Sequence, residues 1–125
     1  MDIDTEHVKT LRFVQSIIKN MDNPPPHFSY NTTWESVVFP EGYEKPPKEE
    51  FEAKLQELLN EELWEELREE RNKRITETDY LATIDYPHPT EEAKQAWLAY
   101  RQALRDLPAN TTDPENPVWP EAPTP

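Results

Sequence analysis

Asp79 and Asp85 stand six residues apart, each followed by a tyrosine, Tyr80 and Tyr86. A pair of carboxylates is what a hydrolase uses when one group gives a proton and the other takes one. Asp and Pro also make turns and stop helices, and residues 76–89 hold both. No supporting cluster of His, Cys or Ser accompanies the pair, so turn formation is the reading adopted and no catalytic residue is assigned. His7, His27 and His88 lie far apart in the chain. Metal ligands on a helix recur at short spacings such as His-Glu-x-x-His, and no such pattern occurs. The histidines are read as surface or packing residues, and neither a metal nor a cofactor is expected.

Other chemistries are excluded by what is scarce. There is no cysteine, hence no disulfide framework and no thiolate zinc site. The single glycine, Gly42, leaves nothing from which to build a phosphate-cradling loop. The net charge of −13 repels polyanions, so neither nucleic acid nor an anionic membrane surface is an expected partner. No apolar run approaches the roughly 20 residues that span a bilayer. The acidic start, Met1-Asp2-Ile3-Asp4, lacks the apolar stretch of a signal peptide. These features predict a protein that works in a reducing cytosol.

The elements that position the remaining residues follow from apolar spacing. Val8, Leu11, Val14, Ile17 and Ile18 predict a first helix over 5–20. Residues 27–30 and 34–39 read as two short strands, with Asn31-Thr32-Thr33 as the turn. Such a hairpin is marginal alone, and Phe28, Tyr30, Trp34 and Val38 are its expected contacts with the helix. After a stiff linker ending in Pro46-Pro47, the longest helix runs from Lys48 to about Ile75 on a stripe that includes Phe51, Leu55, Leu63 and Leu67. Six glutamates between Glu61 and Glu70 give it a solvated face. Thr90 caps a third helix whose stripe is Ala93, Ala96, Trp97, Tyr100, Leu104 and Leu107. Pro108 is expected to end it. The last 18 residues hold six prolines and predict an extended tail.

The expected fold is therefore α+β and mostly helical. An N-terminal helix and short β-hairpin occupy 1–46. A long central helix packs antiparallel on a C-terminal helix over 47–108, through Leu63, Leu67, Trp97, Tyr100 and Leu104. An extended Pro-rich tail covers 109–125.

Two basic islands interrupt this acidic chain: Arg71 with Arg74, and Arg101 with Arg105 on a face apart from the stripe. Paired arginines suit bidentate carboxylate contact. Internal pairing with helix glutamates is the readier role for Arg71 and Arg74, while Arg101 and Arg105 are left open between internal and partner contacts. A tryptophan in a polar, Pro-rich tail is costly to expose. Trp119 is therefore expected to dock beside Tyr100 and Arg101 on the third helix, or on a partner.

These residues carry a resemblance. Arg71-x-x-Arg74-Ile75, Thr78-Asp79-Tyr80, the block from Ala96-Trp97 through Tyr100-Arg101-Gln102-Ala103-Leu104-Arg105-Asp106-Leu107-Pro108, and Pro117-Val118-Trp119-Pro120 occur in order. Over about residues 68–122 the chain resembles the phage tail assembly chaperones, also described among tail fibre assembly proteins. Tyr80 stands where such proteins often carry Trp, and residues 110–116 lack a Gly-Phe-Pro common among them. The resemblance implies a helical hairpin-like module and a non-enzymatic protein that binds a phage tail fibre or other tail protein during virion assembly in the host cytoplasm. The alternative is a structural component, a fibre adaptor or tip protein, that stays in the virion tail. The partner-binding residues expected are Trp97, Tyr100, Arg101, Arg105, Trp119 and Pro120.

Overall fold

Glu, Leu, Lys and Arg dominate the middle of the chain, and such side chains lose little freedom in a helix. In the computed structural model, which describes residues 2–124, they form the longest of three helices: α1, Asp2–Lys19; α2, Lys48–Glu77; and α3, Glu91–Asn110. The Pro47 carbonyl accepts the first helical bond of α2, from Phe51 N at 3.0 Å. Thr78 closes α2, its hydroxyl donating to Ile75 O at 3.0 Å. Thr90 caps α3 as predicted, its Oγ1 accepting from Ala93 N at 3.0 Å.

Pro108 does not end α3, contrary to expectation; it lies inside the helix. Proline removes its own donor and crowds the carbonyl four residues back, but it does not forbid helical residues after it. The stop comes from Thr111, whose hydroxyl donates to Leu107 O at 2.6 Å.

The α+β expectation fails at the hairpin. Among the described residues there is no strand or sheet, and residues 27–39 contain one isolated antiparallel bridge, Ser29 with Val38. Its two hydrogen bonds measure 3.1 and 2.9 Å. Local polar chemistry takes the residues that would have extended it. Thr33 caps a 3-10 turn at Trp34–Ser36, accepting from Ser36 N, and the Ser36 hydroxyl donates back to Thr33 O at 2.6 Å. Trp34 Nε1 donates to Pro46 O at 2.8 Å, tying the indole to the linker. The tight turn also resets the side-chain phase by one residue, the shift that exchanges faces in an extended segment. Val37 is 3% exposed and Val38 59%, the reverse of the expected facing.

The chain divides into two units, the first up to Glu61 and the second from Glu62, with α2 running through the division. The first is held by carbon. Val14, Ile18, Val37 and Phe51 are buried together, with Phe28, Tyr30, Trp34 and Phe39 packed around them. Phe28 meets Phe39 edge-on at 6.2 Å. The second unit buries Leu67, Leu81, Leu104 and Leu107, and with them one arginine, Arg101.

Candidate protein-binding surface

Arg101 organises the second unit. Its position at three-residue steps before Leu104 and Leu107, both buried, sets its Cα on the inner face of α3. It is only 6% exposed. Burying a guanidinium is costly unless its donors are satisfied, and here they are. Nη1 donates to Ile75 O at 2.8 Å and to Thr78 Oγ1 at 2.9 Å; Nη2 donates to Asp79 Oδ1 at 3.0 Å. One side chain thus closes the C-terminal end of α2, where carbonyls lack helical partners, and fixes the start of the following 3-10 turn, Asp79–Ala82. A second bond, from Arg71 Nη1 to Arg105 O at 3.3 Å, lies one turn away. From 71 to 75 on α2 the partners step back from 105 to 101 on α3, so the two segments run in opposite directions there.

The remaining expected site residues lie on this frame. Trp97 and Tyr100 are half-buried and meet edge-on at 5.9 Å. Arg105 is exposed beside Gln102, which in turn donates to Asp106 at 3.1 Å. Trp119 and Pro120 are half-buried. The cation over the Trp119 ring is Arg74 of α2, 4.0 Å from the centroid, and not Arg101 of α3 as the sequence suggested. Glu70 accepts from Arg74 Nε at 3.2 Å and steadies the guanidinium. Upstream, Asp113 shapes the tail into a turn. It accepts from Asn116 Nδ2 at 2.9 Å and Glu115 N at 3.1 Å. These two bonds, the Asn116 one first, hold its carboxyl below the usual range.

Residues 64–124 match the family model of the phage tail assembly chaperone protein. No curated protein and no solved structure matches the chain. The match covers most of the second unit. Within the matched segment fall every bond of the Arg101 latch, the Trp97–Tyr100 pair and the Arg74–Trp119 stack. No helix of the described residues is long and apolar enough to cross a membrane.

The two aspartates of this segment play unequal parts. Asp79 serves the latch, while Asp85 stands exposed at a turn. His88 lies near them, but its Nε2 donates to Leu81 O at 2.8 Å and its Nδ1 is buried without a partner. Among the described residues no group of three or more acidic or histidine side chains could hold a metal ion.

Sequence reasoning missed three features. Leu81, buried at 4%, was read only as turn. Arg74 was not paired with Trp119. The inward aim of Arg101 had a visible signal, since Trp97, Arg101, Leu104 and Pro108 follow the same three-and-four spacing as the stripe. An arginine in phase with leucines is one whose charge must be answered internally.

Proposed function

We infer that this chain is a non-enzymatic assembly chaperone that binds a tail fibre protein of its phage in the host cytoplasm and releases it to the growing virion. The observation that carries the reading is the family match over residues 64–124. The surface within that match supports it. Trp97 and Tyr100 offer two partly exposed rings on α3, Arg105 adds an exposed charge, and Trp119-Pro120 adds a stiff apolar edge on the tail. Aromatic and arginine side chains are the usual anchors of protein interfaces. Arg101 acts beneath them as the residue that holds α3 in place.

The task has a physical basis. Fibre proteins rich in long-range strand pairing fold slowly and expose unpaired edges while they wait. A small acidic binder covers such surface and, by its own charge, keeps the complex soluble.

The test is co-expression of the full chain with the tail fibre protein of the same phage. Soluble fibre protein should rise and should co-purify with the chain. It should fall back when Trp97 and Trp119 are both replaced by Ala in a protein that still folds. Mass spectrometry of purified particles should find the chain absent from mature virions. Fibre protein equally soluble with and without the chain, and never co-purifying, sinks the reading.

A further inference from the structure

The turn between α2 and α3 carries a residue that serves neither the turn nor the core. Tyr86 N donates to Thr83 O at 3.3 Å, which places Ile84 and Asp85 at the two corners. Corner positions favour Asp, Asn, Gly and Pro. Asp85 fits that chemistry; Ile84 does not, being β-branched and best suited to extended, half-buried backbone. Ile84 is also 100% exposed. A lone exposed aliphatic is ordinary, but this one has company. Tyr80 is 58% exposed and meets Tyr86 edge-on at 5.5 Å.

The base of the turn is braced. Leu81 is buried, and its carbonyl accepts from His88 Nε2 at 2.8 Å. Tyr86 packs against the His88 ring at 4.6 Å. Thr83 closes the preceding 3-10 turn, its hydroxyl donating to Tyr80 O at 2.9 Å. A loop fixed from both sides holds its apex in one place before any partner arrives, and such preorganisation removes much of the ordering cost of binding. An apolar side chain at a braced apex breaks the local preference of its position, and such breaks are expected at functional sites.

We propose that Ile84 is a recognition knob, seating in an apolar socket with a basic rim on the tail fibre protein. The socket's charge is argued from the knob's surroundings. Asp85 shares the apex, the Asp79 side chain remains 60% exposed despite its bond to Arg101, and residues 62–125 hold fourteen acidic against seven basic residues. A basic rim complements that field and an acidic one opposes it. The proposal rests on the assembly-chaperone reading and adds to it a contact outside the α3 and tail residues.

The test compares wild type with Ile84→Asp, Ile84→Ala and Asp85→Lys, each as the full chain, titrated against the purified tail fibre protein of the same phage. Because the Ile84 side chain is fully exposed, both Ile84 variants should melt with wild type. Ile84→Asp should bind about tenfold or more weakly, the effect of losing one buried aliphatic contact, with Ile84→Ala between the two. Asp85→Lys should bind more weakly at low salt and lose most of that difference at high salt. Ile84→Asp binding within twofold of wild type overturns the knob and leaves the chaperone reading standing. Wild type failing to bind the fibre protein overturns both. Loss of self-association in Ile84→Asp, with fibre binding unchanged, places the socket on a second copy of this chain and also overturns the proposal.

Discussion

The two units solve the same problem, a small chain with little apolar surface, by different means. Up to Glu61, aromatic and aliphatic side chains gather around Phe51, and the polar contacts, such as Trp34 to Pro46 and Lys48 to Glu35, lie at the margin. From Glu62 on, four leucines are buried, and with them a guanidinium that joins one backbone carbonyl to two side-chain oxygens. Non-directional burial tolerates sliding, whereas a guanidinium fork accepts its partners in one geometry. The first unit is thus held by amount of contact and the second by exactness of placement. The family match falls on the second.

The largest expected effect tests the carbon-held unit. Phe51→Ala should cost about 3–5 kcal/mol in urea or thermal unfolding, by lost burial and the cavity left behind. Hydrogen exchange should show the lost protection concentrated before Glu61. Arg101→Leu comes next, at about 1.5–3 kcal/mol for the charged hydrogen bonds lost, with protection lost chiefly after Glu62. Arg101→Lys should recover little, because an ammonium cannot span Ile75 O, Thr78 and Asp79 as a fork does. If Arg101→Leu strips protection evenly along the chain, the contrast between the units is wrong. Trp119→Ala should cost about 1–2 kcal/mol through the lost Arg74 stack and partial burial of the ring. Faster hydrogen exchange along residues 111–119 of the variant should report tail release.

The smallest effect comes from pH. The bond to Lys48 at 2.6 Å, first among the causes, lowers the Glu35 carboxyl below its usual 4.5, and the same pair raises Lys48 above 10.5. A depressed carboxylate stabilises the fold above its unfolded value and loses that contribution as pH falls through the folded one. A raised lysine contributes below 10.5 and loses it as pH climbs through its folded value. Both partners are exposed, so the change should be slight and screened by salt. Glu35→Gln should remove the pair's share of the acid-side loss below pH 4.5, leaving that of Asp113 in the other unit.

The helices were legible because their signals repeat: the leucine spacing of α2 and α3, and Thr90 before two glutamates. The hairpin was misread because Thr33 and Ser36 favour a capped turn that a pattern of β-formers does not reveal. Trp34 was claimed by a carbonyl twelve residues away, which no local pattern contains. The site residues could be chosen by type, but their partners could not. Arg74 and Arg101 are equally plausible cations for Trp119 on paper, and only the facing of α3, which turns Arg101 inward, decides between them.

One acceptor in the Arg101 latch belongs to the main chain. Substitution at position 75 changes a side chain but leaves its carbonyl, so that anchor cannot be lost by point mutation short of breaking the helix. Thr78 and Asp79 can be exchanged, and each loss leaves the guanidinium with the backbone contact and one other. The acceptor side therefore tolerates single exchanges, while Arg101 alone carries the latch. Outer residues can then be exchanged without disturbing the frame beneath them, which has one point of failure rather than four.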